Sequence, residues 1–304
     1  MTQTIRKFLR NIYRWRIVYL MFLPVFAYYV IFHYIPMYGA VIAFKNYQPA
    51  AGFKNAEWIG LKHIIDFFKS YYFVRLLKNT LRISLTSLIF GFPAPILLAL
   101  LLNEVKSSGY KRIVQTVTYF PHFLSIMVVC GMIVNFFSHN GLVNDIIEIL
   151  GGSRTDFLLE PSAFTPIYVG SGIWQSIGWG SIVYLAALSG IDPSLYEAAR
   201  IDGANRFSQA IHITLPGIIP TITVMFILRV GSIMNVGYEK IILLYNNLTL
   251  ESADVISTFI YRKGLLNADY SYSTAVGLFN SVVNFGLVVA ANAVSRSVQE
   301  TSLW

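Results

Sequence analysis

The chain has 304 residues, of which 55% are hydrophobic and only 12% charged. Mean hydropathy is +0.58, and soluble domains carry about a quarter charged residues, so an ordinary soluble enzyme is excluded by lack of polar surface. An aromatic share of 15% and long apolar runs exclude disorder. In a chain this apolar, the net charge of +8 reads as membrane-topology signals rather than as a nucleic-acid footprint.

A helix needs about 20 apolar residues to cross the hydrocarbon core. Six runs qualify: 17–35, 83–102, 113–137, 164–188, 218–236 and 274–294. Together they predict an all-α integral membrane protein, a single domain over 1–304. The only Asp, Glu, Lys or Arg inside these runs is Arg229. The first run follows Arg6, Lys7, Arg10, Arg14 and Arg16. It is long for a signal peptide and no A-x-A site follows, so an uncleaved first helix with a cytoplasmic amino terminus is expected. Alternation then puts both termini inside. The 103–112 loop, with Lys106, Lys111 and Arg112, falls inside. The 138–163 loop, with Asp145, Glu148, Asp156 and Glu160 against Arg154, falls outside. The loop from Pro36 to Lys78 falls outside despite six basic residues, and loops this long obey the charge rule weakly.

Pro93 and Pro95 predict a kink in the second run. The only cysteine, Cys130, lies in the third, where it reads as a packing residue and excludes a disulfide framework. No G-x-x-x-x-G-K-[ST] loop is present, so ATP hydrolysis is not expected in this chain. Serine-hydrolase, zinc-protease and dinucleotide motifs are absent, and the five histidines do not fall at metal-ligand spacing. No carboxylate lies mid-span, which counts against a proton- or sodium-coupled carrier. It leaves an ATP-independent carrier or channel as the alternative, and a membrane enzyme as the weakest reading.

The longest inside segment after the amino terminus, and the most polar, runs from Ser189 to Pro220. Asp192 followed by Pro193 is a helix start, with a capping side chain and a ring preset for the first turn. Helix formers continue to Arg200, and Gly203 stops or turns the helix. A second short helix over roughly 206–211 leads to Leu215-Pro216. The spacing predicts a helix–turn–helix elbow on the cytoplasmic surface, with a small-residue face at Ala198 and Ala199 and a charge at Glu197. The bland alternative is an interfacial helix without a partner.

The spacing Glu197-Ala198-Ala199, three residues, Gly203, nine residues, Ile213, one residue, Leu215-Pro216 resembles the EAA loop of binding-protein-dependent ABC importer permeases. The resemblance implies the type I importer permease fold. It also implies that Glu197, Ala198, Ala199, Asp202 and Gly203 form a coupling helix docking into a separate ATPase subunit. Asn79-Thr80-Leu81, Leu98 to Asn103, Phe32 to Gly39, Gly91 to Pro95, Gly178 to Ser181 and Leu303-Trp304 are similar to the carbohydrate, maltose-type permeases. Within these they match the LplB-like oligosaccharide and polysaccharide subgroup. That family implies a second homologous permease, two ATPases that bind ATP and Mg, an extracellular sugar-binding lipoprotein or periplasmic protein, and a bacterial plasma-membrane location. No cofactor or metal in this chain is implied.

A carbohydrate is held by aromatic faces and by amides and hydroxyls. The fourth run offers Trp174, Gln175, Trp179 and Tyr184, with Gly178 and Gly180 marking either a broken helix or close packing. Asn280 and Asn284, spaced i, i+4 on one face, line a wet path or bond another helix. Arg229 and Asn235 complete the candidate path, Arg229 being open to a structural ion pair as well.

Overall fold

The computed structural model describes residues 13–299; the basic residues Arg6, Lys7 and Arg10 and the Leu303-Trp304 pair lie outside them. The chain is helical almost throughout. α1 (Arg16–Tyr29) continues through a π-turn at Val30–Tyr34 and a 3₁₀ segment at Tyr38–Phe44. A two-residue antiparallel hairpin, β1 (Lys45–Asn46) and β2 (Glu57–Trp58), follows, then α2 (Lys62–Lys69). The expected Pro36–Lys78 loop is therefore largely structured.

The second long helix starts at Tyr72, well before the apolar run does: α3 is Tyr72–Gly91 and α4 is Pro93–Glu104. The early start is possible because its cations find partners elsewhere in the protein. Arg75 reaches the fully buried carboxylate of Asp254 at 3.4 Å, which Arg262 also holds at 2.6 Å, and Arg82 donates to the Ser252 carbonyl at 2.7 Å. The break at Phe92, just before Pro93, matches the predicted kink, since a proline ring cannot accommodate the preceding helical carbonyl.

The expected third span, 113–137, is not one helix. α5 (Ser108–Tyr119) runs into a 3₁₀ turn at Phe120–Phe123, and α6 (Ile126–Phe137) starts afresh with the Ser125 side chain accepting from the Val128 N–H. Pro121 sits in that turn, where its missing N–H costs nothing. α7 (Leu142–Ile149) follows. α8 spans Phe164–Ser189 without interruption. α9 (Pro193–Ile201) and α10 (Arg206–Gln209) lead through a π-turn at Ala210–Thr214 into α11 (Leu215–Gly231). α12 (Tyr238–Leu244), α13 (Ile256–Tyr261) and α14 (Tyr270–Gln299) complete the chain.

Five stretches among the described residues are long and apolar enough to cross a membrane: Arg16–Phe44, Tyr72–Glu104, Ile126–Ile149, Arg206–Gly231 and Tyr270–Ser297. α8, at 26 residues, has the length, and its four glycines and Gln175 dilute its apolarity. Three apolar clusters bind the bundle. One centres on Ile83, Val129, Phe164 and Ile241, one on Phe67, Leu76, Phe259 and Val276, and one on Ile96, Tyr184, Leu188 and Ile218. Gly178 and Gly180 of α8 serve close packing, which resolves the alternative left open by the sequence. A Cβ on Gly178 would collide with the Thr118 carbonyl of α5, and one on Gly180 would press on Pro95 of α4 at 3.1 Å.

Candidate functional site: a capped elbow and a cavity within the bundle

The elbow forms as its local sequence dictates. The Asp192 carboxylate accepts from the Ser194 N–H at 2.9 Å, and Pro193 occupies the first turn of α9. At the other end Gly203 takes φ +80°, a region costly for any residue with a Cβ. Its N–H bonds the Arg200 carbonyl at 3.1 Å, and the Ala204 N–H bonds the Ala199 carbonyl at 2.8 Å. This pair of reverse bonds satisfies the last carbonyls of the helix. Asn205 then caps α10 by accepting from the Ser208 N–H at 2.8 Å, and Gln209 ties back to the Ala204 carbonyl at 2.8 Å. Arg206 pairs with Glu104 at the end of α4 at 2.7 Å, and the Tyr196 hydroxyl meets that of Thr214 at 3.1 Å. The elbow is thus fastened at both its helices.

Its outer face is open. Glu197, Ala198, Asp202 and Gly203 are exposed and Ala199 is half-buried. Three apolar side chains that the sequence reading passed over share this exposure: Leu195, Ile201 at 87% and Phe207 at 75%. Large apolar groups in a polar segment, on a fully capped element, make a surface suited to protein contact. Their signal in the sequence was the apolar residue set among polar ones on either side of Gly203. A notch of about 710 Å³ lies between the elbow and the 103–106 turn, with Glu104, Lys106, Glu197 and Arg200 on its walls.

The second candidate region lies within the bundle. A cavity of about 380 Å³ is bounded by Gln175, Trp179 and Tyr184 of α8, Arg229 of α11 and Lys240 of α12. Trp179 stacks face to face on His122, centroids 4.6 Å apart and planes 3° from parallel. Gln175 donates to the Leu124 carbonyl at the α5–α6 break at 3.3 Å. Arg229 donates to the Ser87 hydroxyl at 2.9 Å and also lines an adjoining space of about 170 Å³ with Asn235. Trp174 is set apart, on an apolar groove with Phe136 and Phe137. Asn280 and Asn284 are buried, and each donates to the Asn235 side-chain oxygen, at 2.9 and 3.0 Å. Asn284 also accepts from the Met234 N–H at 3.0 Å. These three amides lock α14 to the segment between α11 and α12. The structure thus brings together Gln175, Trp179, Tyr184 and Arg229, with Asn235 alongside, while Trp174 stands apart. Lys240, absent from the sequence-based set, joins them. It lies just beyond the run that ends at Val236 and is followed by four apolar residues, and a lone lysine before such a run is the signal that could have found it.

Comparison with known proteins decides the family. Residues 91–300 match the family described as binding-protein-dependent transport system inner membrane components. The chain belongs to that family. Protein LplB of Bacillus subtilis (strain 168) is 45% identical over 94% of this chain and 91% of its own, in line with the subgroup resemblance in the sequence. The polygalacturonan/rhamnogalacturonan transport system permease protein YteP of the same organism is 43% identical over 98% of this chain and 94% of its own. A crystallised bacterial alginate ABC transporter, in complex with an alginate pentasaccharide-bound periplasmic protein, contains a chain of the same fold. TM-score is 0.89 and identity 47%, with 97% of this chain and 99% of that chain covered. The protein is a helical membrane permease, not an enzyme.

Proposed function

We propose that this chain is the permease subunit of an ATP-driven importer in a bacterial plasma membrane. It takes up a carbohydrate, an oligosaccharide or polysaccharide fragment, delivered by an extracellular solute-binding protein. The chain forms one permease domain over 1–304, with six spans and both termini cytoplasmic, and it pairs with a second homologous permease. Two separate ATPase subunits bind ATP and Mg and dock on the elbow over 192–212, through Glu197, Ala198, Ala199, Asp202 and Gly203 with Leu195, Ile201 and Phe207 around them. The observation that carries this reading is the elbow: an element with both helix ends hydrogen-bonded, presenting apolar side chains outward. The named relatives, which serve polygalacturonan/rhamnogalacturonan and alginate, support the carbohydrate class.

Within the bundle, Gln175, Trp179, Tyr184, Arg229 and Asn235 border the path, and Asn280 and Asn284 hold Asn235 in place for it. Trp174 lines a side groove of the same bundle. Nucleotide state and the loaded binding protein bias the bundle between inward-open and outward-open arrangements. The test is uptake by the complete complex in proteoliposomes with binding protein outside and ATP inside. Glycan-stimulated ATP hydrolysis and ATP-dependent accumulation are expected. Uptake by this chain alone without ATP would overturn the reading in favour of a carrier or channel.

A further inference from the structure

The elbow is joined to the bundle at three places, and two of these are the chain itself. It leaves α8 at Gly190 and enters α11 through the π-turn at Ala210–Thr214. A body held only at its two ends still swings about the line joining them. The third hold is Arg206 of α10 on Glu104 of α4, at 2.7 Å. Among the described residues no other ion pair joins the elbow to α4. Local chemistry does not account for this pair. Glu104 is the last residue of α4, where the helix dipole disfavours a carboxylate. Both side chains are exposed, and exposed ion pairs contribute little to stability. What distinguishes the pair is its position.

α4 is a rod of 12 residues, about 18 Å long. The break at Phe92 sets it off from α3. Its inner face, Ile96 and Ala99, packs with Tyr184 and Leu188 of α8 and Ile218 of α11. Its amino-terminal end borders the cavity through Pro95, whose ring would lie 3.1 Å from a Cβ on Gly180, the neighbour of Trp179. One end of the rod holds the elbow and the other shapes the cavity wall. We propose that the Glu104–Arg206 pair is a strut that carries motion of the elbow into α4 and so to the cavity. The inference rests on the permease reading above and deepens it. With the strut in place, a displaced elbow moves α4 together with α8 and α11. With the strut cut, the elbow turns about its two ends, and the nucleotide cycle runs without fully rearranging the cavity. Glu104 and Arg206 are positioning residues, distinct from those assigned to ATPase docking.

The test measures glycan uptake and ATP hydrolysis together, in proteoliposomes holding the complete complex with loaded binding protein outside and ATP inside. The probes are oligosaccharides cut from polygalacturonan, rhamnogalacturonan and alginate, the glycans of the named relatives. Glu104→Gln and Arg206→Gln are each expected to lower uptake per ATP hydrolysed about fivefold, the lower end of coupling between sites. The ATPase subunits should still co-purify, and hydrolysis should still respond to the probe. The reversed pair, Glu104→Arg with Arg206→Glu, should restore uptake per ATP. It also places the cation where the dipole of α4 favours it, so its melting temperature in detergent should not fall. Unchanged uptake per ATP in both single variants would overturn the strut. A reversed pair as uncoupled as the single variants would overturn it too. So would loss of the ATPase from the single-variant complexes, which would make these docking residues instead. A wild-type complex in which no probe stimulates hydrolysis would overturn the carbohydrate-importer reading and the strut with it, a failure seen before any variant is made.

Discussion

The elbow and the cavity are built in opposite ways. The elbow is made of contiguous residues: Asp192 caps two positions on, Gly203 closes the helix that Asp192 opened, and Asn205 starts the next. The cavity is made of residues from five helices far apart in the chain, α3, α4, α8, α11 and α12, with Arg229 held by Ser87 and Lys240 by the Tyr168 carbonyl. A surface that must fit a moving partner is stable when its own hydrogen bonds are complete.

That contrast can be broken from either side. The largest effect is expected for Glu197→Lys, which reverses charge on the open face without touching a hydrogen bond of the elbow. ATP-driven uptake should fall on the order of a hundredfold, with the ATPase lost on co-purification of the complex; retained ATPase and full uptake would refute the docking assignment. Next comes Gly178→Leu, which forces α8 away from the Thr118 carbonyl. A loss of about 3 kcal/mol, the upper end of overpacking costs, is expected, read as a lower melting temperature in detergent, with ATPase docking affected only through unfolding. Asn235→Ala leaves the Asn280 and Asn284 amides without their shared acceptor and should cost about 1–2 kcal/mol in the same melt.

The smallest effect is at the cap. Hydrogen bonds from Ser194 hold the Asp192 carboxyl below its ordinary pKa. The stabilisation is therefore complete above the ordinary aspartate value and is lost only as pH falls through the lowered one. Uptake should show no Asp192-dependent change across the neutral range. Asp192→Asn, which keeps an accepting oxygen, should change uptake by less than about twofold, and Asp192→Ala by a few-fold.

The same contrast decides what could be read from the chain of letters. Asp192-Pro193 and Gly203 are local signals, so the elbow and its turn were legible to within a residue or two. Pro93 marked its kink for the same reason. The early start of α3 was hidden because Arg75 is neutralised by Asp254, 179 positions away. The break between α5 and α6 was hidden inside a continuous apolar run, where Pro121 and Ser125 were outweighed by hydropathy. Gly178 and Gly180 could equally have marked a broken helix, and only the backbone of α5 and the ring of Pro95 distinguish close packing. Lys240 fell outside the apolar runs, so a search confined to them missed it.

The π-turn at Ala210–Thr214 joins the elbow to α11. Such a turn holds one residue more than the regular helix would, and one residue of an α-helix corresponds to about 100° of rotation. The angular phase between lever and shaft is therefore set by a single supernumerary residue. Natural variation that adds or removes one residue here would swing the lever to another compass bearing while leaving both of its ends chemically intact.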